Sequence, residues 1–261
     1  MKHINNESAI VEVDGLEIGY NKEVILQDIS FRVNSGHCFA IMGMSGCGKS
    51  TLLKSMTGLL KPFRGSVKFR NGELWGKADL PNQVVLANFG VLFQGGALWS
   101  SMNLLQNISL PLETFSALGR AEIESLASYK LSLVGLSGCE YLYPSQLSGG
   151  MRKRAGLARA LSLDPSILFL DEPSAGLDPI NSRQLDELII ELKESLGLTF
   201  VVVTHELDSI FTIADDAIFL GGHSKSILDQ GNPVELKSSS GHFEVRNFLN
   251  RSNGHPKMGA C

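Results

Sequence analysis

The stretch "FAIMGMSGCGKST", residues 39–51, decides how the rest of the chain is read. Four apolar residues run without a polar break, a glycine-rich turn follows, and Lys49, Ser50 and Thr51 then open the helix-favouring segment "KSTLLKSMTGLL". An uninterrupted apolar run suits a strand buried on both faces of a parallel sheet. Gly43, Gly48, Lys49 and Ser50 fit the pattern G-x-x-x-x-G-K-[ST], in the strand-turn-helix context that gives it meaning. Glycines let backbone N–H groups turn inward on a phosphate, and the following helix adds the positive end of its dipole. Gly43, Ser45, Gly46, Cys47, Gly48, Lys49, Ser50 and Thr51 therefore read as the cradle of a nucleotide, with Lys49 reaching its β and γ phosphates and Ser50 ligating magnesium. The alternative is a turn that matches by chance, which average residue frequencies supply in roughly a few per cent of glycine-rich chains.

Two more apolar runs, "SILFL" and "TFVVV", stop as abruptly as "FAIM" does at Gly43, the first at a carboxylate and the second at a threonine followed by histidine. Open α/β sheets bind ligands beyond the carboxyl ends of their strands, which is where Asp171 and Glu172 fall. Asp171 suits magnesium, through water, and Glu172 suits orienting and polarising an attacking water. Paired acids at a strand end are merely solvated about as often, and only a phosphate loop in the same chain tilts the choice. His205, after "TFVVVT", reads alone as a satisfied polar residue, and Gln94, in "GVLFQGG", as a turn cap. Their company makes both of them candidates.

At 261 residues and 43% hydrophobic, the chain can bury a full core. Its net charge of −4 argues against nucleic acid bound through a broad basic face, leaving at most a local patch. No apolar run reaches the roughly 18–20 residues that cross a bilayer, and "MKHINNESAIVEV" lacks the apolar centre of a signal peptide. The expectation is a cytoplasmic chain, tethered only by a partner. Cys38, Cys47, Cys139 and Cys261 lack metal-ligand spacing and read as reduced thiols.

"SAIVEVDGLEIGY" and "EVILQDISFRV" alternate apolar with polar residues on either side of a turn at Asn21 and Lys22, as antiparallel strands with one wet face do. Further on, buried-type strands alternate with helical stretches such as "NSRQLDELIIELKESLG", so the fold class is α/β, a mainly parallel phosphate-loop core with an N-terminal antiparallel subdomain. A helical lobe is expected at about residues 98–161, inserted in a domain covering 1–240. Residues 241–261 form a tail expected to dock by Phe243, Val245, Phe248 and Leu249 and to fray beyond them.

In this order, "GMSGCGKST", Gln94, "LSGGM", "ILFLDE", "SAGLDP" and His205 resemble the ATP-binding cassette ATPases over nearly the whole chain. The resemblance implies ATP and magnesium, with Ser50, Gln94 and Asp171 around the metal, Glu172, His205 and Gln94 in catalysis, and Tyr20 stacking on adenine. It also implies a head-to-tail pair of copies, in which Ser148, Gly149 and Gly150 face the partner's γ-phosphate and Asp178 lies at the dimer interface. A serine hydroxyl, small residues and a helix start fit that use. The usual fifth signature residue is glutamine; here it is Met151, followed by "RKR". "LSGGMRKRAGLARAL", "VLFQGGALWSSMNLLQNISLPL" and "THELDSIFTIAD" are similar to the ATPases of MCE-associated lipid transporters, the group that includes the Mla system.

That likeness implies an integral membrane permease, an MCE-domain periplasmic lipid-binding protein and a peripheral place on the cytoplasmic side of an inner membrane. Leu98, Trp99 and Met102 would meet the permease's coupling helix, although a core role fits them equally. The cluster around Phe248 would pack on the partner ATPase or on a small STAS-like accessory subunit. The rival readings are an importer ATPase for a small polar solute, a soluble cassette protein acting on DNA or ribosomes, and a nucleotide kinase. The soluble kind usually carries two cassettes or a long inserted coiled coil, and a kinase leaves "LSGGM" without a use.

Overall fold

The computed structural model describes residues 9–76 and 80–251, so the first eight residues, the end of the tail and Cys261 lie outside the described residues. Strands β1 (Ala9–Tyr20) and β2 (Glu23–Asn34) pair antiparallel, and Asn21 and Lys22 both take positive φ (50° and 69°), as the tight hairpin turn between twisted strands requires. After β3 (Cys38–Gly43), helix α1 (Lys49–Met56), β4 (Arg64–Phe69) and the two-residue β5 (Gly72–Glu73), the first sheet is complete in the order β2-β1-β4-β5. Helix α1 is shorter than its sequence suggests. Thr57 caps it, its hydroxyl donating to the Leu53 carbonyl at 2.8 Å in place of another helical turn.

A short helix α2 (Gln83–Leu86) leads into β6 (Phe89–Leu92). Helices α3 (Leu104–Phe115), α4 (Arg120–Leu133) and α5 (Gly149–Ala160) follow with no strand among them. The chain then alternates through β7 (Ile167–Asp171), α6 (Pro179–Leu196), β8 (Thr199–Val203), α7 (Leu207–Ile213), β9 (Asp216–Leu220) and β10 (Ile227–Gly231). It closes with α8 (Pro233–Ser239) and α9 (Phe243–Leu249).

The second sheet runs β10-β9-β3-β8-β7-β6, parallel throughout except for the β10 and β9 pair. Every residue of β3 and β8 is buried, so both faces of these strands are covered. One face meets α1 and the first sheet, where the Phe31 and Phe39 rings stack at 5.2 Å and Phe69, Phe89 and Phe169 form an aromatic knot. The other face meets α3 to α6 through Leu168, Leu170, Phe200 and Val202. Burying each such side chain stabilises the fold by about 1.5–3 kcal/mol, which no surface contact matches. No described helix is long and apolar enough to cross a membrane.

The tail docks on its own chain. Val245, Phe248 and Leu249 are buried against Ala40, Met42, Ile210 and Phe219, with the Phe248 ring edge-on to Phe219 at 5.2 Å. The pattern of α9 leaves Phe243, the fourth residue of the expected cluster, 72% exposed. A partner can therefore reach Phe243 but not Phe248.

Helices α6 and α7 enclose a carboxyl. Asp186 is 4% exposed, accepts a hydrogen bond from the Ser209 hydroxyl at 2.8 Å and leaves its other oxygen without a hydrogen-bond partner among the described residues. Burial, opposed by the Ser209 bond and reinforced by Glu206, Asp208 and Glu187, pushes its pKa up to about 6. Between its unfolded value, about 3.9, and that folded value, the folded chain binds more protons than the unfolded one. This group therefore favours the fold at low pH, and its contribution is lost as pH rises through about 6. Asp186→Asn should accordingly stabilise the chain at pH 8, by on the order of 1–3 kcal/mol, with no gain below about pH 4. Chemical denaturation at the two pH values checks this.

Candidate functional site

The register of three strands assembles the site. Val203 of β8 lies opposite Ile41 of β3 on one side and Asp171 of β7 on the other. The loops leaving these strands therefore meet at one sheet edge, above a cleft of about 690 Å³. Gly43, Ser45, Gly46, Gly48, Lys49, Ser50, Thr51, Gln94, Glu172 and His205 all line it.

The phosphate loop is bent by its glycines. Gly48 caps α1 with φ 102°, and a Cβ built there would lie 2.9 Å from the Leu26 side chain and 3.1 Å from Ile25. The chain can thus start a helix against β2 only with glycine at this point. Lys49 is 8% exposed and its ammonium donates to the carbonyls of Gly43 (2.9 Å) and Met44 (3.1 Å), which holds it along the loop. Cys47, by contrast, turns its side chain into the core, where burial raises its thiol pKa, so it offers the loop only its backbone.

The Ser50 hydroxyl donates to Asp171 Oδ1 at 3.3 Å, which ties Asp171, itself outside the cleft lining, to the phosphate loop. Burial pushes the Asp171 carboxyl above the usual range, and the Ser50 bond and the Lys54, Lys153 and Lys49 charges oppose it. Glu172 leaves the strand with left-handed backbone, φ 47°, which turns its side chain over the cleft. His205 Nδ1 donates to Glu172 Oε1 at 2.8 Å, while Oε2 is buried with no hydrogen-bond partner among the described residues. A buried acceptor without a partner, on a residue that lines the cleft, suits a water supplied with the ligand. The hydroxyl of Ser50, the Asp171 carboxylate and the Gln94 amide are hard oxygen donors, the set magnesium prefers.

Other sequence candidates lie elsewhere. Tyr20 is 41% exposed at the end of β1, its ring 6.0 Å from the Lys54 ammonium and outside the cleft lining. Ser148 caps α5 and is exposed, its hydroxyl accepting from Met151 N at 3.2 Å, while Gly149 is half-buried and Gly150 buried in the helix's first turn. Asp178 caps α6, accepting from Ile180 N and Asn181 N at 3.1 Å each. Hydrogen bonds from the Asn181 side chain and backbone hold its carboxyl below the usual range. None of these lines the cleft of its own chain.

The structure also brings in residues the sequence did not single out. Ile25, Met44, Leu207 and Arg251 complete the cleft wall, together with Phe248, which the sequence marked only as part of the tail cluster and α9 brings there. Lys153 of α5 donates to the Gln94 and Glu172 carbonyls. Asn107, fully buried, bonds the backbone of Trp99, Met102 and Asn103 and so fixes a loop on which Trp99 stands 56% exposed and Leu98 and Met102 half-buried. An asparagine at a buried helical position was the only sequence trace of that clamp.

Residues 26–175 match the family described as ABC transporter. The chain is 39% identical over 240 residues to the "Probable ribonucleotide transport ATP-binding protein mkl" of Mycobacterium tuberculosis, covering 92% of this chain and 66% of that one, so it spans about two thirds of the mycobacterial relative. It is 37% identical to the "Intermembrane phospholipid transport system ATP-binding protein MlaF" of Escherichia coli K12, over 92% of this chain and 88% of that one. Among solved structures, cbiO1 of Clostridium perfringens, part of the ABC transporter complex cbiONQ, superposes with TM-score 0.79 and 28% identity, over 94% of this chain and 95% of that one. A dimeric ATP-binding cassette in a post-hydrolysis state, bound to ADP and Pi, gives TM-score 0.74 and 28% identity, over 85% and 98%.

Gly48→Ala tests the built-in curvature of the loop. A methyl group at positive φ, pressed on Leu26, should destabilise the chain by about 1–3 kcal/mol and weaken nucleotide binding as well, read by thermal melting and by titration with a fluorescent nucleotide.

Proposed function

The chain belongs to the ABC transporter family, and on that premise we propose that it is the ATP-hydrolysing subunit of a membrane transporter that moves lipid. The observation that carries the catalytic part is the pairing of Glu172 with His205 at 2.8 Å in the cleft that Lys49 also lines, with Glu172 Oε2 buried and without a hydrogen-bond partner among the described residues. Lys49 and the loop amides bind the phosphates of ATP. Ser50, Asp171 and Gln94 would hold magnesium, whose charge neutralises that developing on the phosphates. Glu172 accepts a hydrogen bond from the attacking water through Oε2 and takes up its proton, and His205, bonded to Oε1, keeps the carboxylate aimed.

Ser148, Gly149, Gly150 and Asp178 stand outside their own chain's cleft, and this supports a use in a second copy's site. Two chains would pair head to tail, each placing its signature residues on the γ-phosphate held by the other. ATP closes this dimer, closure moves an integral membrane permease, and hydrolysis reopens it. The exposed Trp99, on its Asn107-clamped loop, is the surface assigned to the permease. Likeness to the phospholipid-transport relatives supports phospholipid as cargo. With that cargo, an MCE-domain periplasmic protein would be its carrier, and the chain would sit peripherally on the cytoplasmic side of the inner membrane. A STAS-like accessory subunit would meet the tail at Phe243.

The ribonucleotide-transport name of the mycobacterial relatives favours a second reading, a small polar solute as cargo. The two separate in the complex purified with its copurifying membrane proteins. Stimulation of ATP hydrolysis by phospholipid vesicles, together with an MCE-domain protein in the complex, supports lipid; stimulation by a soluble solute-binding protein overturns it. For the chemistry, Glu172→Gln should keep ATP binding but lower turnover about a hundredfold or more and trap the closed dimer, and Lys49→Ala should weaken ATP binding roughly tenfold or more. A Glu172→Gln protein that hydrolyses ATP at the wild-type rate would remove Glu172 from its role.

A further inference from the structure

Ser148 caps helix α5 outside the cleft, yet one side chain of that helix reaches the backbone beneath it. Lys153 is 7% exposed and donates to two carbonyls, that of Gln94 at 2.5 Å and that of Glu172 at 3.1 Å. Both acceptors are the backbone of residues whose side chains line the cleft. The Glu172 carbonyl is presented by left-handed backbone, a conformation that costs a non-glycine residue free energy and persists only where its surroundings fix it. Ala97, three residues past Gln94, is left-handed too (φ 51°), and its carbonyl accepts from Arg159, a second cation of α5. Between the two cations, Gly156 lets the Gly96 backbone lie flat on the helix, since a Cβ there would stand 2.9 Å from the Gly96 carbonyl oxygen. The loop after β6 and the start of the Glu172 turn are thus fastened to one rigid rod.

That rod has its other end in a different site. Five residues at 1.5 Å each separate Ser148 from Lys153, roughly 7–8 Å along the axis. We propose that Lys153 is a positioning residue that couples the two ATP sites of the dimer: engagement of the partner's phosphate at the Ser148 end sets the Gln94 and Glu172 backbone of the chain's own site through this ammonium. The proposal rests on the head-to-tail ATPase reading given above. A compact ammonium with three rotatable donors can satisfy two converging carbonyls at once, which a neutral side chain of equal length cannot. Burial, offset by Glu172, Asp171 and Glu206, lowers the Lys153 pKa, and these acids favour its charged form.

The test uses the full chain with its copurifying membrane proteins, and compares wild type with Lys153→Met, Lys153→Gln and Lys153→Arg. Melting and nucleotide affinity are measured first, then hydrolysis against ATP concentration. For Lys153→Met the expected result is nucleotide affinity within about twofold of wild type, kcat reduced roughly tenfold or more, and a Hill coefficient falling from above 1 toward 1. Lys153→Arg should restore most of both. If Lys153→Met keeps the wild-type kcat and Hill coefficient, the coupling role is overturned. Loss of folding in both the Met and Gln variants overturns it as well, since the lysine is then structural. A lowered kcat with an unchanged Hill coefficient leaves Lys153 in its own site alone and overturns the link between sites. A wild-type complex that binds ATP without hydrolysing it fails at the ATPase reading instead, before any variant is compared.

Discussion

Everything at the functional end of this protein depends on the alignment of β3, β8 and β7 at Val203. Parallel strands buried on both faces have no room for polar side chains along their length, so chemistry is confined to where they stop. Because Val203 faces Ile41 on one side and Asp171 on the other, β8 and β7 stop level with each other and β3 stops two residues further on. The phosphate loop, the acidic turn and the histidine turn leave the sheet side by side. A slip of one residue in either pairing would turn buried side chains to the wrong face, and burial of the whole apolar set resists it.

The outer layers hold those three turns in shape. β2 presses Ile25 and Leu26 on the phosphate loop, so the curvature of Gly48 is packed as well as permitted. Helix α9 brings Phe248 to the other rim, anchored on Phe219, which makes the tail part of the cleft wall. Helix α5 fastens the glutamine loop and the Glu172 turn from beneath. The helix that opens at the glycines 149–150 is thereby fastened to the Gln94 loop and the Glu172 turn, which share a cleft with the other glycine-rich segment at residues 43–48. Under the proposed function they hold phosphates of two different nucleotides.

Much of the cleft was legible in sequence because its chemistry needs particular residue types at particular spacings. The glycines, Lys49 and Ser50 are local to a single turn, and Asp171, Glu172 and His205 each follow an apolar run directly. Lys153, Asn107 and Arg251 were not legible. Lys153 stands in a basic run, "RKR", in which Arg152 is exposed and Arg154 half-buried, and only packing against the loop after β6 selects the middle residue. Asn107 satisfies four backbone atoms of a loop that sequence pattern leaves without structure. Phe248 and Phe243 belong to one apolar cluster in sequence, and the direction in which α9 lands separates them, one buried and one exposed.

The sequence by itself determined the fold class, the strand that carries each motif and the residue types at the phosphate and acidic edges, because buried strands and phosphate loops are local patterns. The tertiary structure alone decided which of those residues share a cleft and which face away, that Ser148 and Asp178 stand outside it, and that a lysine of the signature helix grips both catalytic turns. These depend on contacts between segments tens of residues apart, such as Lys153 with Gln94 and Gly156 with Gly96. The free energy of such contacts comes from burial and hydrogen bonding after the chain has closed, which no local spacing records.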